Sequence, residues 1–233
     1  MSSTVYLIPS VLDEAATHTI PPYIVDAVKN CQVIFAENER TARRFLKSIC
    51  REIVIDDYEW FAIHKAEEEQ KNNFRQKIKE EKNIAIISEA GCPGVADPGQ
   101  VLIEVAQQMN ATVKPLVGPS SILLALMASG MNGQQFEFVG YLPIDAGERT
   151  KAIKELEIAS LKKNSTQIFI ETPYRNNQLI ETLLKTCKAT TRICIAAALT
   201  GSNEYVKTKT VAEWKNEKTD FHKKPVIFLL MAV

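Results

Sequence analysis

The sequence predicts an α/β protein of two domains, and three observations carry that expectation. Short apolar runs alternate with amphipathic segments over the first half of the chain, the pattern of a largely parallel sheet covered by helices. One of these runs, Ile84 to Ile87, stops at Ser88-Glu89 and gives way to Gly91, Pro93, Gly94, Pro98 and Gly99, as a buried strand feeding a ligand-sized loop would. Eight of the nine glycines lie between Gly91 and Gly147, which concentrates backbone permissiveness where a ligand needs close main-chain approach. Beyond Gly130 the character shifts toward longer helices and alternating strands. The boundary is therefore placed between residues 117 and 118, giving an N-terminal α/β domain over 1–117 and a C-terminal α+β domain over 118–233.

Composition sets the outer limits. A chain of 233 residues, 45% hydrophobic and 24% charged, can bury a sizeable core as one large domain or two smaller ones. No window approaches the roughly 18 to 20 uninterrupted apolar residues of a membrane span, and the start MSST does not read as a signal peptide, so a cytoplasmic protein is expected. Five cysteines without a C-x-x-C pair are expected to be free thiols. His18, His64 and His222 are isolated, which argues against a metal site. Lys plus Arg equals Asp plus Glu at 28 each, so any nucleic-acid role must rest on local patches or on a dimer groove.

Thr4 to Ile8 reads as the first strand. The loop after it, PSVLDEAATHTIPP, contains no glycine, which argues against a dinucleotide fold needing G-x-G-x-x-G at this turn. Tyr23 to Asn30 is a short helix, Val33 to Ala36 a strand, and Glu37-Asn38-Glu39-Arg40 opens a helix to about Ile49. Its cations Arg40, Arg43, Arg44 and Lys47 form either a solvated face or a phosphate contact. Glu52 to Ile55 is read as a third strand, the aromatic stretch DDYEWFAIH as packing beneath a loop or a lip that stacks on a base or partner, and Lys65 to Glu81 as a polar helix anchored by Ala66, Phe74 and Ile78. A helix from Gly99 to Met109 and the strand Thr112 to Leu116 follow. Gly118-Pro119-Ser120-Ser121 begins another helix, which Gly130 ends.

In the second half, Phe136 to Tyr141, Thr166 to Ile170, Arg192 to Ala198, Tyr205 to Thr210 and Val226 to Met231 read as strands. Helices fill Glu148 to Leu161 and the segment running to Cys187. Alternation in YVKTKT predicts one exposed face and antiparallel pairing.

The order of motifs resembles the tetrapyrrole methylase-like, class III S-adenosylmethionine-dependent methyltransferases. Within them it is most similar to the group that methylates a cytidine ribose 2′-hydroxyl in small-subunit ribosomal RNA. AENER at Ala36 to Arg40, ISEAGCPGVADPG at Ile87 to Gly99, VKPLVGPSSILLALMASG at Val113 to Gly130, QFEFVGYLP at Gln135 to Pro143, ETPYR at Glu171 to Arg175 and ALT at Ala198 to Thr200 carry it. The resemblance implies two α/β domains, each a central sheet flanked by helices, with the cofactor in the cleft between them, and usually a homodimer. It implies S-adenosyl-L-methionine as cofactor, RNA as substrate, and donor contacts at Pro9, Ser88, Glu89, Ala90, Gly91, Cys92, Pro93, Val95, Gly118, Ser120, Ser121, Glu171, Thr172, Leu199, Thr200 and Pro225.

Against this stand departures, and the cofactor cradle keeps the family pattern better than the regions that would face the acceptor. The first loop lacks the Gly-Asn and Asp-Ile-Thr usual in the family, E-D-T-R has become Glu37-Asn38-Glu39-Arg40, the aspartate of S-D-A-G is Glu89, H-x-x-N-E is replaced by the YEWFAIHK region, and the late K-G-E is His222-Lys223-Lys224-Pro225. A small-molecule methylase and a catalytically idle cofactor- or RNA-binding relative therefore stand as alternatives.

Methyl transfer from a sulfonium needs alignment and exclusion of water more than a nucleophilic side chain. Turns at Ala90 to Gly94 and Gly118 to Ser121 would offer carbonyl and N–H groups to the donor. Glu89 would accept from a donor hydroxyl or ammonium, or else cap the helix near Asp97 to Gly99 or be solvated. A ribose hydroxyl benefits from a general base. Glu37, Glu39 and Glu171 are candidates and Arg40 and Arg175 could hold phosphate; Glu37 and Arg40 are the pair selected as catalytic, with an ordinary salt-bridged cap as the competing role.

Overall fold

The computed structural model describes residues 3–63 and 67–233. They form two compact units, Met1–Ser120 and Ser121–Val233.

The first unit is a five-stranded parallel sheet. Its strands are β1 (Thr4–Ile8), β2 (Val33–Ala36), β3 (Glu59–Ala62), β4 (Ile84–Ile87) and β5 (Thr112–Pro115), in the order β3-β2-β4-β1-β5. Helices α1 (Tyr23–Lys29) and α2 (Glu39–Ile49) cover one face, packing Ile24, Val28, Phe45 and Leu46 on Ile8, Ile34, Ala85 and Ile87. Helices α3 (Glu67–Lys79) and α4 (Gln100–Gln108) cover the other, packing Phe74, Leu102 and Val105 on Val5, Phe35, Ile84 and Ile86. β4 is buried at every residue because successive side chains enter the two cores alternately, and this is why it reads as a continuous apolar run.

The third strand lies later than the sequence suggests. Glu52 to Ile55 is not a strand: Ile53 is buried in the core, and Ile55–Asp57 turns in a short 3-10 helix. Glu59–Ala62 is the edge strand instead, in register Val33↔Glu59 through Ala36↔Ala62. Its partly covered residues blur the apolar signal, but Phe61 stacks on Phe35 with ring centroids 4.7 Å apart. Of the polar helix expected from Lys65, the described part begins at Glu67 and is anchored by Phe74 and Ile78; Lys65 and Ala66, like His64, lie outside the described residues.

The second unit has a mixed sheet of β6 (Phe136–Tyr141), β7 (Thr166–Ile170), β8 (Arg192–Ala197), β9 (Tyr205–Thr210) and β10 (Val226–Met231), ordered β6-β7-β10-β8-β9. β6 and β7 are parallel and the remaining pairs antiparallel, including β8 with the alternating β9. Four helices complete it: α5 (Ser121–Ser129), α6 (Ala146–Lys163), α7 (Asn176–Thr186) and α8 (Val211–Trp214). α6 is capped by the Asp145 side chain, which accepts from Glu148 N–H, and α8 by a reciprocal Thr210–Glu213 capping box. Trp214 fills the core and donates its indole N–H to the Ile193 carbonyl at 2.8 Å.

Candidate functional site

In the first unit the connections out of β1 and β4 diverge. β1 is followed by α1 on one face and β4 by α4 on the other, although the two strands are neighbours in register Val5↔Ile84 through Ile8↔Ile87. A crevice beyond the carboxyl ends of such a strand pair is where open α/β sheets bind ligands. Pro9 and Ser10 leave β1 there, and Ser88 to Gly91 leave β4. The two loops are tied together, Ser10 N–H to the Gly91 carbonyl at 2.8 Å and Gly91 N–H to the Ser10 carbonyl at 3.1 Å. The Ser10 hydroxyl also donates to the Ser88 carbonyl at 2.9 Å.

Gly91 has φ +75°, a backbone region that favours glycine. The Cys92 thiol lies 3.5 Å from the Pro119 carbonyl, and Gly118 packs on Pro9 so tightly that a Cβ would meet that ring at 2.1 Å. Pro9, Ser88, Ala90, Gly91, Cys92 and Gly118 are thus brought into one loop cluster. Pro93 and Val95 continue the same loop, with Val95 exposed, and Ser120 closes the unit after Pro119.

Glu37 and Glu89 meet at the adjoining strand end. Glu37 N–H donates to the Ile87 carbonyl at 3.0 Å, and its carboxylate accepts from Glu89 N–H at 2.8 Å. Glu89 does not cap the helix near Asp97; its own carboxylate accepts from Asn38 Nδ2 at 3.4 Å. The cap of α2 is Asn38, whose Oδ1 accepts from Thr41 N–H. Within α2 an ion pair joins Glu39 to Arg43 at 2.6 Å. Arg40 is exposed.

The second unit gathers a further group at one end of its sheet. The register Ile227↔Ile170 and Val226↔Ala197 places the exits of β7 and β8 beside the entry of β10. Glu171, Thr172, Leu199, Thr200 and Pro225 therefore share that end. Glu171 Oε1 accepts from Thr172 N–H at 2.7 Å and from Arg175 Nε and Nη2 at 3.0 and 2.6 Å, so Arg175 is engaged within its own motif. Glu171 Oε2 and Thr200 Oγ1 are buried without hydrogen-bond partners. Thr200 sits at φ +69° and Ala198 at φ +49°, and Thr200 N–H donates to Glu204 at 2.7 Å. Ser121 opens α5.

Comparison with known proteins decides the family. The chain matches the tetrapyrrole (corrin/porphyrin) methylases over residues 16–215. It belongs to that family. It is 32% identical over 174 residues to "Ribosomal RNA small subunit methyltransferase I" of Vibrio cholerae, covering 73% of this chain and 59% of that protein. The protein of the same name from Bacillus subtilis is 30% identical over 217 residues, covering 91% and 70%. Among solved structures a diphthine synthase aligns with TM-score 0.70 at 13% identity, over 99% of this chain and 90% of the other. That likeness concerns the fold.

Asp97 is the residue of this methyltransferase that sequence reasoning passed over. Its Oδ1 accepts from Gly94 N–H at 2.9 Å and Gly99 N–H at 2.7 Å, pinning the glycine loop to the start of α4. Its Oδ2 is buried without a partner. Burial pushes the carboxyl above the usual aspartate range, opposed by those two N–H groups and the Ser88 hydroxyl. D-P-G before a helix was the available signal, yet the bonds run to backbone groups that sequence does not display.

The cysteines are all free. Burial raises Cys31 to about 12, and Cys187 to about 12 with Glu157 adding to it, so neither is a thiolate nucleophile at neutral pH. Among the described residues no group of His, Cys, Asp and Glu could hold a metal ion, and no helix is long and apolar enough to cross a membrane.

Proposed function

We propose that this methylase transfers the methyl group of S-adenosyl-L-methionine to a ribose 2′-hydroxyl of small-subunit ribosomal RNA, acting as a cytoplasmic homodimer. The observation that carries the reading is the loop pair at the carboxyl ends of β1 and β4, where the Gly91 turn at φ +75° is tied to Ser10 and Gly118 is seated on Pro9, so that both loops frame one crevice. The residues fit the donor. Unpartnered oxygens on Glu171 and Thr200 suit the hydroxyl and ammonium groups of S-adenosylmethionine, since buried acceptors left unsatisfied are costly. The names borne by the relatives in Vibrio cholerae and Bacillus subtilis support ribosomal RNA as the acceptor class.

The sulfonium supplies an activated methyl group with its own leaving group. The chain's task is to align acceptor and donor, which is worth up to roughly 7 to 11 kcal/mol in favourable systems. In the first unit the loops at Ser88 to Pro93 and Gly118 to Ser120 would orient the donor at the ends of β1 and β4. Glu37 holds the Glu89 loop at the mouth of the crevice, and Arg40 offers an exposed cation to an RNA phosphate. A small-molecule acceptor is favoured by the formal net charge of zero and by the altered loop after the first strand. For the homodimer, the exposed Leu123 and Met127 lie one helical turn apart on α5, the kind of apolar surface a second copy covers; sedimentation at micromolar concentration tests it.

Two measurements test the function. Calorimetry with S-adenosylmethionine and S-adenosylhomocysteine should show binding, and its absence in folded protein at millimolar ligand would sink the donor assignment. Methylation maps of ribosomal RNA from cells with and without the protein should differ at a ribose. An unchanged map would transfer the assignment to a small molecule.

A further inference from the structure

Beyond the donor-side group, two segments of the second unit are clamped into one surface. Asn176 is wholly buried at the start of α7. Its Nδ2 donates to the carbonyls of Phe221 and Lys224 at 3.0 and 2.8 Å. Asn177 Oδ1 accepts from Phe221 N–H at 2.9 Å, and Lys223 N–H donates to the Pro173 carbonyl at 2.9 Å with Lys223 held at φ +62°. A non-glycine residue in that region persists only where its surroundings over-determine it.

The clamp displays two rings and a set of cations. Tyr174 is 70% exposed despite its size, and His222 meets it edge-to-face with centroids 5.8 Å apart. Lys223 and Lys224, next in the chain to His222, are exposed, with Lys224 Nζ 5.7 Å from the Phe221 ring centroid. Against these stands Asp220, whose carboxylate already accepts from Asn177 Nδ2 at 2.7 Å and His222 N–H at 2.9 Å, while Glu217 is engaged by Lys209. The patch is positive, aromatic and held rigid before any ligand arrives.

We propose that Tyr174, braced by His222, is a stacking platform for one unpaired base of the RNA substrate, with Lys223 and Lys224 taking the flanking phosphates. An exposed ring with cations on the adjoining segment is what single-stranded RNA recognition uses. The platform begins three residues after Glu171, so an RNA strand laid on it would run beside the donor-side group. The proposal rests on the ribosomal RNA reading.

The test is steady-state methylation of small ribosomal subunits isolated from cells lacking the protein, with calorimetry of S-adenosylmethionine alongside. Tyr174→Ala should raise KM for the subunits by about tenfold or more, with kcat and donor affinity unchanged, while Tyr174→Phe and Tyr174→Trp stay near wild type. Lys223→Ala with Lys224→Ala should lower the slope of log affinity against log salt by about 0.7 per lysine. A Tyr174→Ala protein with wild-type KM overturns the platform while leaving the RNA reading intact. An equal loss in Tyr174→Phe, or a parallel fall in donor affinity, overturns it as well, since the ring face would not be the cause. If wild-type protein neither binds nor methylates the subunits, platform and RNA reading fall together.

Discussion

A methyl group added to Gly118 would lie 2.1 Å from Cβ and 2.4 Å from Cγ of Pro9. The loop after β5 is therefore seated on the loop after β1 at contact distance, and both belong to the proposed donor cradle. Gly118→Ala must displace one of them. Overpacking of this kind costs about 1 to 3 kcal/mol, and moving the loop should also weaken donor binding, about tenfold for each 1.4 kcal/mol lost. Urea unfolding and calorimetry of the single variants and of the Pro9→Gly, Gly118→Ala pair check this. The pair should recover much of the loss, because removing the ring removes the collision; equal effects with and without Pro9 would place the cause elsewhere.

Asp97 predicts a pH dependence of known sign. Burial raises its carboxyl in the folded state, so the folded protein holds this proton more tightly than the unfolded chain. The stabilisation is fully present below the ordinary aspartate value and is lost as pH rises through the raised folded value. Stability of wild type relative to Asp97→Asn should therefore fall as pH climbs through that window and level off above it. Asp97→Ala removes the acceptor shared by Gly94 and Gly99 and should cost about 1 to 3 kcal/mol. Denaturation midpoints across the acid range, on all three proteins, give both readings.

The sequence was legible where one residue's environment repeats in its neighbours. Ile84–Ile87 is buried throughout, so its apolar run and its glycine boundary were both visible. Glu59–Ala62 was not, because an edge strand with an exposed first residue and three partly covered ones has no clean period. Contacts across long chain separations were hidden for another reason. Asn176 is silent in the sequence, yet its partners are 45 and 48 residues further on. Asn38 as cap of α2 and Glu37 as acceptor for Glu89 N–H likewise required knowing which strand ends lie side by side.

Glu171 and Arg175 form an ion pair at 2.6 Å in which the carboxylate side chain is 1% exposed and the guanidinium 29%. Breaking a buried pair from one side leaves an uncompensated group, with costs up to about 3 to 5 kcal/mol when both partners are deeply buried. Here Arg175 keeps some water, so Glu171→Ala should cost less than that. Glu171→Gln retains an acceptor oxygen but loses the charge. If Oε2 faces the donor, this variant should stay folded while binding S-adenosylmethionine about tenfold more weakly, the scale of one charge-assisted hydrogen bond. Calorimetry at matched unfolding midpoints separates the two effects, and unaltered affinity would remove Glu171 from the donor site.

Glu37 and Arg40 separate by what each touches. The Glu37 carboxylate accepts from Glu89 N–H at 2.8 Å, an interaction an amide oxygen can also make. Glu37→Gln should accordingly keep turnover within about threefold of wild type, whereas loss of a general base costs about 100-fold or more. Glu37→Ala should instead loosen the Glu89 loop and weaken donor binding. Arg40, exposed beside it, should act on the acceptor: Arg40→Ala raises KM for the small ribosomal subunit, more at low salt than at high, and leaves kcat unchanged. Turnover measured against subunit concentration at two ionic strengths tests both residues. A collapse of kcat in Glu37→Gln, with the acidic limb of the pH profile gone, would make Glu37 the base and overturn its assignment as a loop anchor.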